Sequence, residues 1–441
     1  MAIDKEQLSA HWMPFTSNRQ FKQDPRILVG ADGLYYTDAD GRQIFDGLSG
    51  LWTCGAGHNR KEINDAITKQ LSTLDYSPGF QYGHPLSFEL ANKVVELTPA
   101  GLDQVFFTDS GSETVETALK MARGYWRNLG QPSKTKFIGR HRGYHGVNFG
   151  GVSVGGIGFN RKLFGQSVDS DHIPHTVLEE NKFSRGMPEI GAHLADELEE
   201  LVILHDASNI AAVIVEPMSG TSGVLPPPKG YLNRLREICD KHNILLIFDE
   251  VITGFGRMGS LTGAEEFGVT PDIMTLAKQI TNGIQPLGAV VVGSNIYEAY
   301  MEKGGPDYMV EFPHGYTYSA HPVACAAGIA ALDLLVNENL VQLVKEMSAT
   351  FEDAVHSLKS APFVTDIRNY GFAAGLSLEH YPGEPLRRPF EIGLKCFEKG
   401  FCDGIVIAVP LFTHALSYSC LLYTSDAADE GLGVDLGGRR I

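Results

Sequence analysis

The chain has 441 residues, 43% hydrophobic and 20% charged, enough for a large core and, at roughly 150 residues per domain, for two or three domains. Its 36 Lys and Arg against 53 Asp and Glu leave a formal charge of −17, which repels phosphate backbones and anionic membranes and sets nucleic acid aside as a partner. No apolar run is long enough to span a bilayer, Met1–Glu6 has no signal-peptide core, and the six scattered cysteines form no Cys-x-x-Cys pair for zinc or a disulfide framework; a cytoplasmic location is expected.

Residues 4 to about 49 hold short strand-like pieces broken by Asp32-Gly33 and Asp40-Gly41, which predicts a small N-terminal α+β region. From about Leu86 helix and strand alternate. The spacing predicts a helix over Phe88–Leu97, a strand over Gln104–Thr108, the loop Asp109-Ser110-Gly111-Ser112, and a helix through Val115, Ala118, Leu119 and Ala122. Ala211–Val215, Ile244–Phe248, Ile273–Ala277 and Gly288–Val292 read as buried strands, with an amphipathic helix over Tyr231–His242. Short apolar strands parted by helices predict an α/β fold whose mostly parallel sheet is covered on both faces. An Ala-rich helix over His321–Asn337 then leads to a C-terminal α+β region with strands at Phe363–Arg368 and Ala374–Leu378. The expected division is 1–60 and 331–401 as the two parts of a small domain, 61–330 as the large domain, and 402–441 as an atypical tail.

Five stretches carry candidate chemistry. Lys278 follows an apolar strand and precedes a polar, Gly-containing turn, the edge at which open α/β sheets bind ligands. A partly desolvated lysine there can condense with an aldehyde; a solvated strand-end lysine has the same pattern. Asp249 and Glu250 end the strand before it and point to opposite faces. Asp249, sharing a face with Val251, can hold a pyridine nitrogen protonated, or the pair can simply cap the next segment. The small residues Ser110–Thr114 offer free amides and the Ser112 hydroxyl to a phosphate, though Ser112 also suits an ordinary helix cap. In Arg142-Gly143-Tyr144-His145-Gly146 the tyrosine can stack on a planar ring, and Pro313–Pro322 is a polar aromatic loop able to meet an anion; each is equally a structural turn. His141 and His145 have metal-ligand spacing, but the glycines around them oppose a helix. Neither a Walker A loop, a Gly-x-Gly-x-x-Gly fingerprint nor a plausible serine nucleophile elbow is present.

Taken in order, the Ser-Gly-Ser loop, Arg142–Gly146, Val215-Glu216-Pro217, Phe248–Val251 and Ala277-Lys278 resemble the class III, fold type I, pyridoxal-phosphate-dependent aminotransferases over about residues 10–401. His11-Trp12-Met13-Pro14-Phe15, Leu48–His58, Ser77–Pro85, His314–Pro322 and Ala324 look most like the ω-amino acid:pyruvate (β-alanine:pyruvate) members. The resemblance implies the cofactor pyridoxal 5′-phosphate and a Schiff base on Lys278, which also shuttles the substrate proton. It implies that Asp249 pairs with the pyridine nitrogen and that Tyr144 and Val251 cover the ring faces. Gly111 and Ser112 would hold the phosphate, and His145 and Glu216 would support the cofactor. Thr317 and the Tyr316 backbone would reach the neighbouring subunit's phosphate in a homodimer or tetramer, and Trp52, Phe80 and Tyr82 would line the substrate pocket. The implied reaction is ping-pong transfer of an amino group from an ω-amino acid or amine to pyruvate. An aminomutase or decarboxylase on the same scaffold, or a cofactor-binding protein without turnover, are the alternatives.

After Phe401 the resemblance ends. Cys402–Val406 lacks the arginine expected there to bind a substrate carboxylate, and the stretch from Ser419 looks like translated adapter sequence. Codons for Phe-Cys-Asp-Gly read one base earlier give leucine, arginine or stop, then tryptophan or arginine, which predicts a frameshift near Phe401.

Overall fold

Short β-rich runs fenced by turn residues become strands at both ends of the chain. The computed structural model describes residues 7–379, Pro382 and the strands at 405–406 and 415–419. Near the N-terminus β1 (Leu28–Asp32), β2 (Tyr35–Asp38) and β3 (Gln43–Asp46) form an antiparallel meander. Its turns sit at Gly33 and Gly41, with φ of +52° and +82°, the left-handed conformation that glycine adopts without a Cβ clash.

The middle of the chain builds one seven-stranded sheet from β4 (Gln104–Thr108), β5 (Lys136–Arg140), β6 (Ser170–Ile173), β7 (Ile210–Val215), β8 (Leu245–Asp249), β9 (Ile273–Leu276) and β10 (Gly288–Val292). Their order is β4-β10-β9-β8-β7-β5-β6. The pairs from β9 to β6 are parallel, whereas β10 runs antiparallel to both β9 and β4. The sequence pattern puts Gly288–Val292 in the parallel series; it is reversed. Only Ala277–Leu287 joins it to β9, containing a single 3-10 turn, Lys278–Thr281, and a parallel return needs a dozen or more residues and a crossover. Strands β5 and β6 escape the pattern because Lys136, Arg140, Ser170, Asp171 and His172 interrupt any apolar run.

Strand alternation explains why β7, and β8 up to Asp249, are apolar. Val213, Val215, Leu246 and Phe248 face one side, where Leu235 and Ile238 of helix Tyr231–Lys241 pack with Leu332 and Leu335 of helix Pro322–Asn337. Ala212, Ile214, Leu245 and Ile247 face the other, under Val115, Ala118, Ala122 and Trp126 of helix Gly111–Asn128. Trp126 is buried and its indole N–H donates to the Ala211 carbonyl at 2.8 Å, so its one polar atom is satisfied.

Beyond helix Leu340–His356 come β11 (Val364–Tyr370) and β12 (Ala373–Leu378), an antiparallel pair. Strand β13 (Ile405–Val406) runs parallel to β3, and β14 (Ala415–Ser419) adds to β12. The C-terminal part of the chain thus returns to the N-terminal meander. These two strands are what is described of 402–441; the predicted frameshift near Phe401 and the end of the tail lie outside the described residues. Among the described residues no single helix is long and apolar enough to cross a membrane.

Candidate active site

With β10 alone reversed, the carboxyl ends of β4, β5, β7, β8 and β9 share one edge of the sheet. A cavity of about 400 Å³ opens there, within the size range of cofactor pockets. Asp249 closes β8, Glu216 follows β7, Lys278 follows β9 by two residues, and Asp109 follows β4. All four line the cavity, with Gly111, Ser112, Tyr144 and Val251.

Lys278 stands at φ +51°, a left-handed conformation that costs a non-glycine residue about 1–3 kcal/mol and persists only where neighbours hold it. Gln279 Oε1 accepts the Gly55 amide at 2.8 Å, and Asn282 accepts the Ala56 amide at 2.9 Å while donating to the Gly57 carbonyl at 2.7 Å. The Leu48–His58 motif therefore clamps the lysine turn from the N-terminal side. Burial pushes the Lys278 amine down to about 8; the Asp249 and Glu216 carboxylates pull it upward and Arg257 adds to the fall. A substantial neutral fraction at slightly alkaline pH follows, as a nucleophilic amine requires.

Asp249 is fixed on every side. Its Oδ2 lies 2.8 Å from His145 Nδ1, and its Oδ1 accepts from the Val251 amide at 3.2 Å and the Thr275 hydroxyl at 3.3 Å. His145 is buried, and its Nε2 has no partner among the described residues. Glu216 accepts from the Tyr144 amide (3.0 Å), the Ser219 hydroxyl (2.6 Å) and the Gly220 amide (3.1 Å), and burial raises its pKa. Glu250 points away, as strand alternation predicts. It accepts the Gly263 and Ala264 amides, both at 2.7 Å, and the Thr253 hydroxyl, with burial pushing it up to about 7. The pair thus divides: Asp249 lines the cavity, while Glu250 does not cap the segment that follows it but meets the start of the distant helix Gly263–Phe267, whose N-cap is Thr262.

At the start of helix Gly111–Asn128 the cap is Ser110, not Ser112. Ser110 Oγ accepts the Glu113 amide at 3.3 Å, while the Glu113 carboxylate accepts the Asp109 amide at 2.9 Å, a reciprocal capping arrangement. The Gly111 and Ser112 amides take no partner among the described residues. Ser112 Oγ accepts the Val147 amide at 3.1 Å. A Cβ on Gly111 would lie 2.9 Å from Val251 Cγ1, and one on Gly146, at φ +88°, would lie 2.5 Å from Ser112 Oγ. Free amides at a long helix's N-terminus, with glycines where side chains would fill the space, suit a phosphate.

The remaining predicted residues lie outside the cavity lining. Tyr316 places its hydroxyl 3.3 Å from Thr117 Oγ1, and the Thr317 carbonyl accepts from Tyr76 at 3.1 Å. Phe80 is 53% and Tyr82 72% exposed, Phe80 lying where a Cβ on Gly315 would be 2.7 Å from its ring. Trp52 is buried beside Leu48, Met218 and Ile252, with Arg257 5.3 Å over its ring; its neighbour Thr53 lines the cavity instead. Thr53, Asp109, Thr281, Gly283 and Gln285 also line the cavity without having been singled out. Asp109, Thr53, Thr281 and Gly283 fall in stretches the sequence does single out, the loop Asp109–Ser112, Leu48–His58 and the turn after Lys278, but nothing in the spacing picks these positions from their neighbours.

A half-buried amine, an aspartate backed by histidine and free amides at a helix start share this cavity, an arrangement that suits a phosphorylated aldehyde. The family model for class-III aminotransferases matches residues 16–415, and the chain belongs to that family. It is 62% identical over 396 residues to the omega-amino acid–pyruvate aminotransferase of Pseudomonas putida, covering 89% of this chain and 88% of the relative. The beta-alanine–pyruvate aminotransferase of Pseudomonas aeruginosa is 62% identical over 395 residues, with the same coverage. Among solved structures, a pyridoxal-phosphate-bound amine transaminase from an uncultivated Pseudomonas species superposes with a TM-score of 0.88 at 36% identity, covering 96% of each chain. The chain is an aminotransferase with pyridoxal 5′-phosphate as its cofactor, and the free amides, the glycine cradle and the partly neutral lysine fit that group.

Proposed function

We propose that this chain transfers an amino group from an ω-amino acid or amine, such as β-alanine, to pyruvate and releases alanine. Pyridoxal phosphate, when bound, supplies an aldehyde that condenses with amines and a ring that accepts the electron pair of a bond broken beside it. The chain's residues do the rest. The Lys278 amine would hold the cofactor and, once a donor amine takes its place there, would serve as the base that moves the proton from the amine-bearing carbon. Asp249, kept in place by His145 and Thr275, would present a carboxylate to the ring nitrogen. Tyr144 and Val251 would cover the two ring faces, Glu216 fixes the Tyr144 backbone, and the Gly111 and Ser112 amides would bind the phosphate. The donor leaves as a carbonyl product before pyruvate enters, which gives ping-pong kinetics.

The observation that carries this reading is the shared cavity of Lys278 and Asp249 at the ends of adjacent parallel strands. The names of the close relatives supply the substrate pair. Phe80, Tyr82, Tyr316 and Thr317, set apart from their own chain's cavity, act across a homodimer or tetramer in this proposal, and Trp52 shapes the pocket from behind Thr53. A cytoplasmic location belongs to the same reading. Borohydride reduction of the loaded protein, followed by peptide mapping, is expected to mark Lys278, and β-alanine with pyruvate to yield alanine. A mark on another lysine, or no alanine, overturns it.

A further inference from the structure

We propose that Asp109 is a phosphate contact that works as the neutral acid, so that cofactor binding takes up a proton at this carboxyl. The inference rests on the function proposed above. Asp109 lines the cavity immediately before the Ser110–Ser112 loop. Its amide is tied to the Glu113 carboxylate at 2.9 Å, which fixes the residue, yet its own carboxylate has neither a hydrogen bond nor an ion pair among the described residues. An anion-binding loop that starts with an unpaired carboxylate is contradictory while that carboxylate is charged, because like charges a few ångströms apart in a cavity repel strongly.

Protonation removes the contradiction. Burial, with Glu113 adding to it, already pushes the Asp109 carboxyl up to about 6. The titratable groups around it are Glu113 in the first turn of the helix that follows, Tyr316 from the aromatic loop, and Lys278, Asp249, Glu216 and Tyr144 in the same cavity. A phosphate dianion adds negative charge to this set and moves the carboxyl further up. The balance is simple: the carboxylate gains one proton from solvent, and its O–H then donates to a phosphate oxygen, with no other bond made or broken. The chemistry that recognises the phosphate is thus partly a pH-dependent donor.

The test uses the full chain stripped of cofactor, titrated with pyridoxal phosphate and with pyridoxal from pH 6 to 9 by intrinsic fluorescence quenching. Proton uptake is measured calorimetrically in two buffers of different ionisation enthalpy. Asp109→Asn, whose amide donates at every pH, is expected to match the wild type near pH 6. It should then outbind the wild type by a factor approaching about tenfold per pH unit above that, with no such divergence for pyridoxal. Parallel pH profiles, or a uniformly weaker Asp109→Asn, overturn the inference. So does unchanged phosphate-dependent binding with a raised KM for amines, which would make Asp109 a donor-ammonium site. Should the variant not fold, wild-type proton uptake decides: more with pyridoxal phosphate than with pyridoxal supports the inference, and equal uptake sinks it. Failure of the wild type to bind pyridoxal phosphate at Lys278 strikes the proposed function itself, a result distinct from all of these.

Discussion

The floor of the cavity and its rim are built in opposite ways. On the floor, Asp249 and Glu216 stand at the ends of fully buried strands, β8 and β7, and their oxygens are tied by several donors each. On the rim, Phe80 and Tyr82 come from irregular segments and keep 53% and 72% of their surface bare. A strand end held in register leaves its side chain little freedom, whereas a loop adopts the position its neighbours allow. In the proposed function this difference puts reaction chemistry on the sheet and substrate choice on surfaces that one copy of the chain leaves uncovered.

The floor is the place for the largest losses. Lys278→Ala is expected to lower kcat by about 10³-fold or more, since both the nucleophile and the proton carrier disappear. Steady-state turnover with β-alanine and pyruvate measures it, and near-normal turnover would remove the lysine from the mechanism. Asp249→Asn keeps the shape but removes the carboxylate charge that would face the ring nitrogen. A loss of about 10²-fold is expected, with the cofactor's absorbance spectrum altered as well. His145→Ala should cost less, about ten- to a hundredfold, the worth of one hydrogen bond to a charged group. If His145→Ala matched Asp249→Asn, the histidine would contact substrate or cofactor directly instead of positioning the aspartate.

Stability should follow the same floor. In the cofactor-free chain the Lys278 amine is depressed from 10.5 to about 8. A lowered folded-state pKa gives a contribution that is fully present above the unfolded value and is lost as pH falls through the folded one. Lys278→Met, which cannot charge, should therefore be more stable than the cofactor-free wild type at pH 7, by about 2 kcal/mol after allowance for water in the cavity. The two should converge near pH 10.5. Urea unfolding at the two pH values tests this, and an equal gap at both would show that the lysine's charge is not what burial opposes.

How much of this was legible in the sequence follows the same division. Strands β7, β8 and β9 announce themselves because their apolar residues face both layers, and Lys278 and Asp249 are found by lying at their ends. The reversal of β10 was hidden, since a buried strand reads the same in either direction and only the short connection decides. Strands β5 and β6 were hidden by their polar residues. The helix cap was misplaced between two equivalent serines, Ser110 and Ser112, because either can offer a hydroxyl and only the Glu113 carboxylate, reaching back to the Asp109 amide, selects the first. The residues of Pro313–Pro322 suggest no more than an anion-meeting loop, so particular roles for Tyr316 and Thr317, like those for the exposed loop aromatics Phe80 and Tyr82, rest on the family resemblance.

The rim supplies the smallest and most discriminating effect. Tyr82→Ala removes a largely exposed side chain, so a surface substitution away from the cavity of its own chain should leave the melting temperature nearly unchanged. If a second copy places this residue against its partner's pocket, the variant should raise KM for the amino donor about three- to tenfold, the worth of a partly buried aromatic contact, with little change in kcat. The same variant should also weaken self-association in sedimentation runs. Unchanged KM with unchanged association would leave Tyr82 an ordinary surface residue and confine substrate recognition to Thr53, Ile252 and the 281–287 turn, which line the cavity within one chain.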